Sequence, residues 1–272
     1  MRNPGYGRRV RIAGYNIMSG GFDGYETTSP VPQRLPEVKL AVQELGADVV
    51  GLVDTFRWDE IFTTDEICEH FGYRYAFCVN LGDDRLTELG HNNGLTLLSN
   101  VELEDVRSVR IATRNAISAR VRGGLRLVLV YLDDLSEDVR VSQVKALAPE
   151  IDSSVPTVVV GDLNSFKASD LPDLSGVYES APVLAGALAP IVADMQRGEV
   201  AELLESLGLQ DASPAGRPTF PTQLFPIKLD EPVLRLDYCF HTASATVRDF
   251  SVPNSEIFQK ASDHLPVVFD VV

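Results

Sequence analysis

Apolar residues follow two rhythms along this chain. Val10 to Ile17, Asp48 to Val53, Leu125 to Leu132 and Thr157 to Val160 are rich in apolar residues at successive positions, the mark of strands covered on both faces. Gln33 to Leu45 instead places Leu35, Val38, Ala41, Val42 and Leu45 at helical spacing and closes at Gly46. Asp59 to Phe71, before Gly72, predicts a second helix, Glu137 to Leu147 a third, and Glu199 to Leu207 a fourth that stops at Gly208. Shorter strands are predicted at Tyr73 to Val79, Leu95 to Leu98, Ala116 to Arg122, Leu236 to Phe240 and Val267 to Val271, separated by Asn-Gly, Gly-Gly and Pro-rich breaks. The order opens β, α, β, α, and doubly covered strands require helices over the sheet.

The run Ala181 to Ala193 is apolar but carries Pro182, Gly186 and Pro190, too short and too broken to span a bilayer. It predicts a buried helix or a hydrophobic lid. With 44% hydrophobic and 23% charged residues in 272, the chain has the makings of an ordinary globular core, and neither disorder nor membrane spanning is expected. No repeat or linker divides it, so one domain over residues 1–272 is expected.

Charge narrows the partners. Lys and Arg total 24 against 39 Asp and Glu, a net −15 that repels polyanions. One stretch runs the other way: residues 106–132 hold Arg107, Arg110, Arg114, Arg120, Arg122 and Arg126 with no acid. A solvated outer face explains this better than a phosphate groove lined by Arg120 and Arg122. The basic start lacks the apolar core and cleavage site of a secretory signal, so cytoplasmic residence is expected. Cys68, Cys78 and Cys239 show no paired spacing, which predicts reduced thiols and no structural zinc.

Four predicted strands end in a polar residue: Asn16, Asp54, Tyr131 and Asp162. Ligands gather beyond strand ends in covered sheets, so these side chains can converge although they lie far apart in sequence. Gly161-Asp162-Leu163-Asn164 and Ser262-Asp263-His264-Leu265-Pro266 add an amide, an acid and an imidazole on rigidly mounted loops.

Together with Tyr15-Asn16-Ile17, Asp48 to Asp54, Asn93-Gly94-Leu95 to Ser99, Tyr131-Leu132-Asp133 with Arg140 and Gln143, and Arg235-Leu-Asp-Tyr238, these motifs resemble, in order and nearly end to end, the endonuclease/exonuclease/phosphatase superfamily. The resemblance implies a four-layer α/β sandwich, two mixed β-sheets between helices, with a divalent metal and phosphate site at one end. It implies that Asp162 orients or deprotonates the attacking water, that Asn164 and His264 hold phosphoryl oxygens, and that Asp237 fixes the His264 ring. Asn16, Asp54 and Asp263 would belong to the metal shell.

The chemistry calls for the same groups. Hydrolysing a phosphate ester brings a nucleophile to an anionic centre, so hard oxygen ligands for Mg²⁺ or Mn²⁺, neutral amides and a cationic imidazole all offset charge. His264 beside Asp237 and Asp263 should have a raised pKa.

The chain departs from the family at two positions. Where most members carry Glu it has Asp54, shorter by one C–C bond of about 1.5 Å, so either the backbone advances, a water bridges to the ion, or metal affinity falls. Where deoxyribonuclease and sphingomyelinase relatives carry His it has Tyr131, whose phenol can still hydrogen-bond a phosphate oxygen. The leading expectation is a metal-dependent phosphodiesterase or phosphatase, acting as a monomer on a small or medium phosphate ester. The alternatives are a nuclease and a non-hydrolytic relative with a weakened metal site. His91 and Trp58 are expected to be an exposed turn residue and a core residue.

Overall fold

The structure, a computed structural model, describes residues 9–25, 29–121, 123–170, 174, 182–213, 215–226, 229 and 231–272. Their strands form two six-stranded mixed sheets. The first contains β1 (Val10–Asn16), β2 (Val49–Val53), β3 (Tyr75–Asn80), β4 (Gly94–Ser99), β11 (Val247–Ser251) and β12 (Val267–Val271) in the order β11-β12-β1-β2-β4-β3. The second contains β5 (Leu103–Ile111), β6 (Arg114–Val121), β7 (Leu125–Tyr131), β8 (Thr157–Asp162), β9 (Leu209–Asp211) and β10 (Asp237–Thr242) in the order β5-β6-β7-β8-β10-β9. Each sheet has one parallel pair at its centre, β1 with β2 and β7 with β8.

The successive apolar positions are two interleaved faces. Along β7, Leu127 and Leu129 enter the core between the sheets, while Val128 and Val130 pack under helices. β8 repeats this with Val158 and Val160 inside and Val159 outside. In β2, Val49 and Val53 face the other sheet and Val50 and Leu52 face helices. Both faces are buried, so the sequence shows no alternation. The sheets meet closely enough that a Cβ at Gly14 would lie 2.6 Å from Val160, and one at Gly51 would lie 2.5 Å from Leu129.

Helices α1 (Leu35–Leu45), α2 (Trp58–Ile61) and α3 (Thr64–Phe71) cover the first sheet, and α4 (Asp84–Glu88) caps its edge near β3. The expected single helix over Asp59 to Phe71 is two. Phe62 is extended, and Thr63 starts α3 with a capping box in which its hydroxyl accepts from Glu66 N–H while Glu66 accepts from Thr63 N–H. Helices α5 (Glu137–Leu147), α6 (Pro182–Met195) and α7 (Glu199–Ser206) lie on the second sheet's side, and α8 (Glu256–Ala261) returns to the first, beside α1. The layers are therefore helix, sheet, sheet, helix, as expected. β5, β9, β11, α4 and α8 are elements that periodicity had not indicated. β5 and β11 are largely exposed edge strands with polar faces, so they lack an apolar signature.

Ala181 lies outside the described residues, but the rest of the apolar run is helical in α6. Its Ile191 and Val192 pack with Phe166, Leu234 and Leu236, next to the loops that carry Asn164 and Asp237. None of the described helices is long and apolar enough to cross a membrane.

Candidate active site

The alternation that fills the inter-sheet core also builds the site. Asn16 continues the face of Ile12, Tyr131 that of Leu127 and Leu129, Asp162 that of Val158 and Val160, and Asp237 that of Cys239. All four lie at strand ends on the inner faces, at the mouth between the sheets. Pairing places Asp237 opposite Asp162 and Asp162 beside Tyr131. β12 begins just after His264, so the Ser262 to Pro266 turn reaches the same end.

The contacts confirm this convergence. The Asn16 amide donates to Asp162 Oδ2 at 3.0 Å, across 146 residues of sequence. Asp162 Oδ1 accepts Asn164 N–H at 2.9 Å, and the Asn164 side chain donates one N–H to Leu132 O at 3.1 Å. His264 Nδ1 lies 2.8 Å from Asp237 Oδ2, which also accepts the Thr219 hydroxyl at 2.7 Å. His264 Nε2 lies 4.0 Å from Asp162 Oδ2, so the carboxylate and the imidazole face one another without a direct hydrogen bond.

These environments shift protonation in useful directions. Burial, reinforced by Asp237, pushes the Asp162 carboxyl up from its ordinary range. Burial pulls His264 down, but Asp237 overcomes it, with help from Asp162 and Asp263, and lifts the imidazole to about 10. His264 is therefore a cation at neutral pH, as its neighbours in sequence suggested.

Asp54, directly after β2, has a tighter set of partners. Its Oδ2 accepts Ser19 N–H at 2.7 Å and the Tyr25 hydroxyl at 2.6 Å, and its Oδ1 accepts the Asn93 amide at 2.5 Å. Burial raises its carboxyl to about 7 despite these donors. Asp263 is also raised by burial, and Arg34 and His264 oppose the shift. The Ser262 hydroxyl donates to the backbone oxygen of Asn16 at 2.7 Å, tying the Asp263 turn to the end of β1.

Four buried carboxylates, those of Asp54, Asp162, Asp237 and Asp263, share this end with the cations His264 and Arg34. Burial raises three of these carboxyls, those of Asp54, Asp162 and Asp263, and a divalent ion would offset the charge they take on when ionised, since buried carboxylates without a counter-charge are costly. The Asn16 and Asp263 oxygens are hard donors suited to Mg²⁺ or Mn²⁺, so the residues fit such an ion. Among the described residues, the one trio of carboxylate or imidazole ligand atoms within 4.8 Å of one another is Asp162, Asp237 and His264. Its His264 Nδ1 is already committed to Asp237, so the trio is a hydrogen-bonded His264–Asp237 pair facing Asp162 rather than a closed metal cage.

Several residues that shape the site carried no sequence signal. Arg34 donates to the backbone oxygens of Met18, Phe22 and Ala261, at 2.7 Å and 2.5 Å for the first two. It thereby staples the loop after β1 to the turn that bears Asp263. Met18, Ser19, Asp54 and Asn164 all have positive φ, between 48° and 60°, and strained backbone of this kind clusters at functional sites. Tyr25 lies in a loop without periodicity and Thr219 in the Pro-rich stretch. Only Asn93 belonged to a quoted motif.

Tyr131 is buried, and Arg114 lies over its ring at 5.0 Å. Burial raises the phenol well above its ordinary value, and Asp54 and Tyr25 add to the effect. His91, expected as an exposed turn residue, is half-buried and stacks on Tyr25 with ring centroids 4.5 Å apart. Trp58 is core, as expected, and donates to Gly20 O at 2.9 Å.

The basic stretch is largely neutralised within the fold. Arg107 and Arg126 pair with Glu150, and Arg114 is fully buried against Asp83 and Asp134. Arg120 is exposed, and Arg122 lies outside the described residues.

The sequence profile of the Endonuclease/Exonuclease/phosphatase family matches residues 15–264, and the chain belongs to that family. Its members are hydrolases of phosphate esters, typically dependent on a divalent metal. No curated protein matches the chain in sequence. Solved structures similar to it include an endonuclease/exonuclease/phosphatase from Beutenbergia cavernae, at 20% identity and TM-score 0.65, covering 97% of this chain and 71% of that one. An AP endonuclease from Archaeoglobus fulgidus matches at 19% identity and TM-score 0.65, covering 96% and 98%. A 3' phosphatase from Neisseria bound to product DNA hairpin matches at 18% identity and TM-score 0.66, covering 97% and 99%. At these identities the likeness establishes the fold.

Proposed function

We propose that this chain is a divalent-metal-dependent phosphodiesterase or phosphatase acting on a small or medium phosphate ester. The observation that carries the reading is the arrangement of Asp162 opposite the His264–Asp237 pair, with Nε2 of His264 turned toward Asp162 Oδ2 at 4.0 Å.

In this reading Asp162, oriented by Asn16 and by Asn164 N–H, takes a proton from the attacking water. Its raised pKa brings it nearer neutral pH, where a general base is most effective. Cationic His264 donates through Nε2 to a phosphoryl oxygen, while Asp237, itself held by the Thr219 hydroxyl, fixes the ring through Nδ1. The second N–H of the Asn164 amide and the Tyr131 phenol supply neutral donors beside it. A divalent ion near Asn16 and Asp263 would polarise the phosphoryl group and stabilise the leaving oxygen.

The reading also takes residues 1–272 as one domain, supported by the span of the family match, and the protein as a monomer. Cytoplasmic residence is part of the proposal and is supported by three thiols that stay unpaired. A nuclease is the second reading. It draws on the neighbour bound to a DNA hairpin, whereas the net charge of −15 weighs against a long polyanion.

The test is hydrolysis of bis(p-nitrophenyl) phosphate, a panel of phosphomonoesters, and plasmid and single-stranded DNA, each with Mg²⁺ and with Mn²⁺. Metal-dependent turnover of a small ester that Asp162→Ala abolishes supports the proposal. Turnover of DNA alone supports the second reading, and turnover of nothing rejects both.

A further inference from the structure

Asp54 stands where the family places a metal ligand, yet its surroundings supply other partners. An ionised carboxylate offers about two acceptor sites on each oxygen. On Oδ2 both are taken, by Ser19 N–H at 2.7 Å and the Tyr25 hydroxyl at 2.6 Å. On Oδ1 the Asn93 amide sits at 2.5 Å, and the same amide nitrogen reaches the Tyr25 oxygen at 3.2 Å. Every one of these donors turns a positive hydrogen toward the carboxylate, so an arriving cation meets like charge at three of the four acceptor positions and finds only one, on Oδ1, open.

Tyr25 is also held from behind. Its ring stacks on His91 with centroids 4.5 Å apart and meets the edge of Phe56 at 5.3 Å. The hydroxyl therefore does not swing away without breaking two ring contacts. Ser19 is fixed as well, because Gly20 N–H donates to the backbone oxygen of Asp54 at 2.7 Å.

Asn16 and Asp263 are less encumbered. Asn16 Oδ1 accepts a single N–H, from Met18 at 3.0 Å, and the Asp263 carboxylate has the Ser262 hydroxyl 3.3 Å away, whose one proton goes to the shorter contact with Asn16 O.

We propose that Asp54 is not a ligand of the divalent ion in this chain: the Tyr25 hydroxyl has replaced the ion as its partner, and the ion is held through Asn16 and Asp263. The assignment rests on the metal-dependent reading above. It makes Tyr25 a residue that weakens the metal site by keeping Asp54 out of it.

The experiment is calorimetric titration of the folded protein with MnCl₂, with free Mn²⁺ followed in parallel by electron paramagnetic resonance. It compares wild type with Asp54→Asn, Tyr25→Phe and Asp263→Asn, each checked for a native circular dichroism spectrum. We expect Asp54→Asn to leave the Mn²⁺ affinity within about threefold and Asp263→Asn to weaken it by about tenfold or more. Tyr25→Phe, which frees an Asp54 oxygen while keeping the ring stack, should tighten binding several-fold. A loss in Asp54→Asn equal to that in Asp263→Asn overturns the assignment and leaves the metal-dependent reading standing. Absence of Mn²⁺ binding in both wild type and Tyr25→Phe overturns the two together.

Discussion

Asp237 Oδ2 lies 2.8 Å from His264 Nδ1, and this contact keeps a buried imidazole charged. Burial alone would favour the neutral ring. In Asp237→Asn the charge is gone while the shape remains, so the His264 pKa is expected to fall markedly from about 10. A proton NMR titration of the ring measures this directly. Phosphate-ester turnover at pH 8 should fall by about 10²-fold or more, with a smaller deficit at pH 6. An unmoved His264 pKa would remove Asp237 from its assigned role.

Of the eight residues named from the sequence, Asn16, Tyr131 and Asp162 were legible because each ends a strand whose apolar neighbours announce it. The ordered motifs added Asn164, Asp237, Asp263 and His264. Asp54 was legible as a position, but its partners were not. Tyr25, Ser19 and Arg34 reach the site from the loop between β1 and α1, where no period marks a residue's direction. The break between α2 and α3 was hidden because Phe62 keeps the apolar spacing while its backbone is extended. β5 and β11 were missed for the opposite reason, since edge strands with solvated faces look like polar loops.

The buried acids give the metal-free protein a particular dependence on pH. Asp54 rises to about 7, and Asp162 and Asp263 are raised as well. For a carboxyl with a raised folded-state pKa, the fold favours the protonated form, so the stabilisation is complete below the ordinary value of 3.8 and is lost as pH climbs through 7. His264 acts in the same direction: its contribution is complete below 6.5 and is lost as pH rises through about 10. The Tm of chelator-treated protein is therefore expected to decline from about pH 4 to about pH 10, through the acids below 7 and through His264 above 6.5. Asp162→Asn, which removes one ionising group, should flatten the decline, and MnCl₂ should raise Tm more at the alkaline end. A Tm that increases over this range would contradict the assigned shifts.

Arg34 gives a prediction about order rather than chemistry. Its guanidinium bridges Met18 O, Phe22 O and Ala261 O, three acceptors that a single ammonium on a longer stem cannot span together. Arg34→Lys keeps the charge and loses the fork. Amide hydrogen exchange should accelerate in residues 18–22 and 261–264 while the strands of the second sheet stay protected, and Tm should fall by several degrees, as expected when buried carbonyls lose donors worth about 1–3 kcal/mol each. Uniform acceleration across both sheets would mean that Arg34 supports the whole fold and not this junction.

Arg114 and Arg120 lie on one strand, carry the same charge, and should respond oppositely to substitution. The Arg114 guanidinium is wholly buried, donates to Asp83 Oδ2 at 2.7 Å and to Asp134 Oδ1 at 2.7 Å, and reaches the backbone oxygen of Leu132 at 2.5 Å. That carbonyl also accepts the Asn164 amide, so Arg114 fixes the Asn164 side chain at one remove, and it packs over Tyr131 as well. Arg114→Met leaves Asp83 buried without its partner, and unfolding in urea should show a loss of about 3–5 kcal/mol, the cost of breaking a buried pair. Arg120 is exposed, and Arg120→Ala should stay within about 0.5 kcal/mol of wild type. If Arg120→Ala also preserves turnover of small esters while reducing cleavage of DNA, the exposed part of the basic stretch serves polyanion binding. Equal turnover of both substrates leaves it as a solvated face that offsets the acidic remainder.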